Sequence, residues 1–156
     1  MIKPLYTIFL ALLVALFVGL GIDTFYQGPE APQYPIELDG ERVNYEETIE
    51  QQTLRNDFNQ AQNQFLEEFK SYSRNVSIIS LVAAIIILIL SLTLLAKIEM
   101  IAEGILLGGV FVTAYSIIRG FMSDSSEFRF LIITIGLIIA LVLGYIKFIR
   151  PKNNLQ

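Results

Sequence analysis

NYEETIEQQTLRNDFNQAQNQFLEEFKSYSR (44–74) runs directly into NVSIISLVAAIIILILSLTLLA (75–96). The first half is polar with an apolar stripe, and the second is almost purely apolar. Neither proline nor glycine interrupts them. Both residues break helices, so their absence predicts one long helix that leaves water at Arg74 and enters a membrane near Val76. Asn44 with Glu47 three residues on has the spacing of a capping box. Glu46, Glu47 and Glu50 then fall in the first turns, where the helix dipole favours carboxylates. From Phe58 the apolar positions Phe58, Ala61, Phe65, Phe69, Tyr72 and Val76 follow helical spacing, and Gln and Asn fill the opposite face. A helix running from Asn44 to Ala96 would be roughly 80 Å long.

On the N-terminal side, Leu5–Ile22 is an apolar block near the minimum length for a span, with Pro4 suited to a first helical turn. A cleaved signal peptide is the rival reading, since Lys3 precedes the block and Gly19 and Gly21 are small. A retained span, 1–22, is favoured. GPEAPQYP, residues 28–35, reads as an extended connector, and Asp39-Gly40 in IELDGERV signals a tight turn or short hairpin. The connector 28–43 is expected to fold back on the amphipathic helix and cover part of its aromatic stripe.

On the C-terminal side, Lys97-Ile98-Glu99 is too short for a loop, so 76–96 and 100–118 form a tight antiparallel pair. The polar segment 119–129 leads to a fourth span, 130–149, and a basic tail, 150–156. The expected fold is all-α and integral to the membrane. It is an antiparallel four-helix bundle whose second span extends outward as an amphipathic helix.

Composition supports this class. Of 156 residues, 54 % are hydrophobic, and mean hydropathy is +0.58. The chain has no Cys, His or Trp, which removes disulfides, thiolate chemistry, Cys/His zinc sites and His-ligated haem. The net charge of −4 is uneven: segment 23–75 is strongly acidic and the basic excess flanks the apolar blocks. That pattern favours membrane orientation over nucleic-acid binding. Placing Lys3, Lys97, Lys147, Arg150 and Lys152 together in the cytoplasm puts both termini inside and 23–75 outside.

Every span carries small residues four apart, which let helices approach closely in lipid. They are Ala11, Ala15 and Gly19; Ser80 and Ala84; Gly104 and Gly108; and Gly136, Ala140 and Gly144. Glu99 and Glu103 share a face of the third span. They are the candidate ion or proton site, with Lys97 and Lys147 as alternative partners. Ser91, Thr93, Thr113 and Ser116 can bond their own helix carbonyls. Glu37, Asp39 and Glu41 cluster at the Asp-Gly turn, but without the spacing of a calcium loop. No catalytic motif, metal site or cofactor site is expected. The layout, with its large loop between spans one and two, resembles that of the claudins. The paired cysteines and tryptophan motif of that family's loop are missing here, and no relationship is inferred.

The expected function is therefore non-enzymatic. Besides the lipid bilayer, the partner is a protein subunit or a second copy, met through Phe58, Phe65, Phe69 and Tyr72. The alternative is a small oligomeric channel or ion-coupled transporter using Glu99 and Glu103.

Overall fold

The structure is a computed structural model that describes residues 2–38, 48–93 and 98–149. All its regular structure is helical: α1 (Ile2–Phe25), α2 (Ile49–Thr93), α3 (Glu99–Phe121) and α4 (Ser126–Gly144). A 3₁₀ turn spans Ile36–Leu38, and α4 loosens into a π-helical turn at Tyr145–Ile149. Each of the four main helices is long and apolar enough to cross a membrane.

The central stretch is one unbroken helix. At 45 residues, α2 is about 67 Å long. It starts later than the Asn44 reading places it, because Thr48 is not helical. A different capping box starts it. The Thr48 N–H donates to Gln51 Oε1 at 3.0 Å, and the Gln51 N–H points back to Thr48 Oγ1 at 3.4 Å. Asn44, Glu47 and the Asp39-Gly40 turn lie outside the described residues. So do Lys97, Arg150 and Lys152.

The helix α1 runs three residues past Ile22 and closes with Tyr26 N–H donating to the Ile22 carbonyl at 2.7 Å. The hairpin reading is corrected in its first arm: Ile36–Leu38 is a 3₁₀ turn, closed by Leu38 N–H to the Pro35 carbonyl at 3.1 Å. Proline fixes the backbone for a turn, and three residues provide too few ladder bonds for a strand.

The hub of the molecule is α3, which packs on α1, α2 and α4, while α4 packs on neither α1 nor α2 among the described residues. Glycines explain the close approach. A Cβ at Gly104 would sit 2.7 Å from Leu10, and one at Gly108 would sit 2.7 Å from Val14, so the GxxxG face receives α1. Gly109 beside it receives Leu88 of α2 at the same distance. Gly136 of α4 packs on Ile117. Ala140 and Gly144 do not share that role: Ala140 is exposed, and a Cβ at Gly144 would meet nothing within 4 Å.

The contacts also give the register. Leu10 faces Gly104 and Val14 faces Gly108, so numbers along α1 and α3 rise together. Between α2 and α3 they run oppositely, with Ser77 against Ser116 and Ser91 against Ala102. The buried face of α2 is Ser73, Ser77, Ser80, Ala84, Leu88 and Ser91, spaced as a seam of mostly small residues. The helices α1 and α2 meet at the end holding Ile22, Tyr72 and Val76 and splay apart toward the other. The splay leaves an apolar groove of about 510 Å³ lined by Leu13, Phe17, Ile86 and Ile105.

Candidate functional site

Polar chemistry gathers at the two ends of the helix cluster. At one end, where α1 stops and α2 continues outward, Tyr26 stacks on Tyr72 with centroids 5.3 Å apart and planes 12° apart. The Tyr72 hydroxyl donates to the Tyr26 carbonyl at 3.1 Å, and Asn75 Nδ2 donates to the Tyr26 hydroxyl at 2.8 Å. Gly28 follows because a Cβ there would stand 3.0 Å from the Tyr72 ring. Arg119, from the last turn of α3, lies over Tyr72 at 5.5 Å and over Tyr115 at 5.6 Å, and its Nε donates to the Tyr115 hydroxyl at 3.0 Å. Cation–π attraction of this kind strengthens as water is excluded. Burial, first, pushes the Tyr72 phenol above its ordinary value, and Arg119 pulls it the other way. Together these residues pin the end of α1 to α2 and α3.

The four proposed contact aromatics therefore part company. Tyr72 is 8 % exposed and belongs to the core, so it is not available to a partner. Its position on the stripe is helical, but it sits level with the end of α1, which covers it. Phe58, Phe65 and Phe69 are half-buried. Tyr34 of the connector meets Phe58 edge-on at 5.3 Å. Phe65 rests on Phe69 at 5.8 Å, and Phe69 on Tyr72 at 6.4 Å. The connector thus lies along the extension, with Phe65 between its two aromatic contact points.

At the opposite end, Lys147 Nζ lies 3.0 Å from Glu103 Oε1, with both side chains about half exposed. Lys147 stands in the π-helical turn that follows α4. Glu99 is exposed and shares a cavity of about 360 Å³ with Glu103, Lys3 and Thr7. Glu103 is thus an ion-pair partner. Among the described residues no group of three or more His, Cys, Asp or Glu could hold a metal. Asp39 and Glu41 lie outside the described residues, and so does the side chain of Glu37.

Sequence reasoning missed three things. Arg119 read as a loop charge, although Tyr115 four residues before it on one helix face is the signal for its aromatic seat. Ser77 was not singled out. Ser116 and Ser91, read as bonding their own helices, instead cross between helices: Ser116 Oγ donates to the Ser77 carbonyl at 2.7 Å and Ser91 Oγ to the Ala102 carbonyl at 2.6 Å. Thr93 and Thr113 do bond their own helices, to Ile89 and Gly109. Comparison of the chain with known protein families, with curated proteins and with solved structures finds no match.

Proposed function

We propose that the protein is a membrane-embedded interaction subunit. In this reading the four helices form an antiparallel bundle with both termini in the cytoplasm, and the outer part of α2 contacts a protein partner or a second copy. Opposite numbering between chain neighbours supports the antiparallel arrangement. Lys3 and Lys147 both stand at the Glu103 end of the cluster, as the positive-inside preference asks.

The observation that carries the functional reading is the bare extension of α2. From Ile49 to Phe65 it has no neighbouring long helix. Among the described residues only the connector and its 3₁₀ turn lie along it, and Phe58 and Phe65 are left partly uncovered by them. A lone amphipathic helix is marginal in water, and a partner that covers its apolar face supplies the missing burial. Replacing Phe58 and Phe65 together by Asp tests this. The assembly should dissociate while the membrane portion stays folded. If its mass is unchanged, the surface is wrongly assigned.

The channel reading loses its main support once Glu103 is neutralised by Lys147. A carboxylate already paired with a lysine is a poor site for a passing cation.

A further inference from the structure

A cavity of about 100 Å³ opens between α2 and the α3–α4 turn. Lys70, Ser71 and Arg74 line it from α2, and Ser123, Asp124 and Ser125 from the turn. Lys70 and Arg74 are four apart and share a helix face. Lys70 pairs with Asp124 at 3.0 Å, while Arg74 is exposed and makes no ion pair among the described residues. Ser123 is 3 % exposed. Its N–H donates to the Gly120 carbonyl, and its own carbonyl accepts from Arg129 Nε, yet its hydroxyl has no partner among the described residues. That hydroxyl is not sealed off, so in a residue otherwise buried it is open toward the cavity it lines and free to bond a ligand there. Ser125 caps α4 here, and the positive end of the helix dipole faces the same region.

Lys70 is matched by Asp124, and the Ser125 hydroxyl is taken up by Glu127 at 2.7 Å, so what remains for an anion among the described residues is the unpaired Arg74, the Ser123 hydroxyl and the helix N-terminus. The volume suits one phosphate group. Below Arg74, at steps of four on α2, come Ile78, Val82 and Ile86, all exposed and apolar. This order, cation above a continuous apolar row, matches a phospholipid from headgroup to acyl chain. We propose that the cavity binds the phosphate of an outer-leaflet phospholipid, with its chains along Ile78, Val82 and Ile86. The proposal rests on the membrane reading given above.

The test uses the full chain in detergent micelles and native mass spectrometry. Two probes are compared: dioleoylphosphatidylcholine and dioleoylglycerol, which has the same chains and no phosphate. The wild type should retain the phospholipid in preference. Lys70→Gln with Arg74→Gln should weaken retention about tenfold, the size expected for losing charge-assisted bonds to phosphate. Ser123→Ala, which keeps every charge, should weaken it severalfold with unchanged helicity by circular dichroism. Lys3→Gln, at the far end, should change nothing. Equal retention of the two probes, or equal retention by wild type and the double variant, overturns the proposal. So does displacement by millimolar inorganic phosphate with no preference for lipid, which would make this a site for a soluble anion. Flotation of the wild type with vesicles separates the two ideas. Failure to float defeats the membrane reading itself, whereas flotation with no lipid preference defeats only the site.

Discussion

Ser77 and Ser116 exchange hydrogen bonds across the α2–α3 contact: each hydroxyl donates to the other's backbone carbonyl, at 2.8 and 2.7 Å. Both residues are fully buried. Larger side chains would hold the helices too far apart for either bond. The pair therefore joins two properties of the seam, close approach and fixed register, and Ser91 repeats the device near the other end.

Deleting the hydroxyls should cost less than filling the space. Ser77→Ala with Ser116→Ala is expected to lower stability by about 1 kcal/mol, since interhelical bonds in lipid average well under that each. Gly108→Val should cost about 1–3 kcal/mol or more, because its Cβ would stand 2.7 Å from Val14. Unfolding in mixed micelles titrated with sodium dodecyl sulfate measures both, and an equal cost for the two changes would contradict the packing explanation.

Arg119→Leu should loosen the Phe25 end of α1 without unfolding the chain. Losing two aromatic contacts and a hydrogen bond corresponds to about 1–2 kcal/mol. Hydrogen exchange at Thr24–Tyr26 should accelerate in the variant. Unchanged protection there would show that Arg119 does not hold that end.

Glu103 and Lys147 should behave as a pair. Either Glu103→Gln or Lys147→Met alone leaves the other charge without its partner, and the two together should recover part of the loss. The same proteins serve for flux measurements in proteoliposomes. The wild type is expected to carry no cation current, and a current abolished by Glu103→Gln would restore the channel reading.

Thr48→Ala should fray the first turns of α2 at a cost of about 1 kcal/mol. Faster amide exchange confined to residues 49–52 is the expected signature. If exchange there does not change, the helix is capped by residues before Thr48.

Much of this fold was legible in the sequence. The long helix could be read because no proline or glycine falls between Asn44 and Ala96, and the apolar blocks could be read by length alone. The start of α2 was ambiguous for a specific reason. Asn44 with Glu47 and Thr48 with Gln51 offer the same cap spacing, and sequence does not say which the chain will use. The serines illustrate a deeper limit. A hydroxyl bonds its own helix or its neighbour according to how near the neighbour comes, and that nearness is set by glycines on another helix. Tyr72 was placed correctly on the stripe and misplaced as a contact, because its burial depends on where α1 ends. Ala140 and Gly144 have the spacing of a packing face, but spacing does not reveal that they face away from the neighbouring helices.

The native mass of the gently extracted protein tests the central claim most directly. Wild type should run as a complex, with other chains or with copies of itself, well above the 17.6 kDa of one chain. The Phe58→Asp, Phe65→Asp variant should fall to that single-chain mass. A wild type that is itself a bare monomer, with the variant indistinguishable from it, would contradict the assignment of the outer face of α2 as a contact surface.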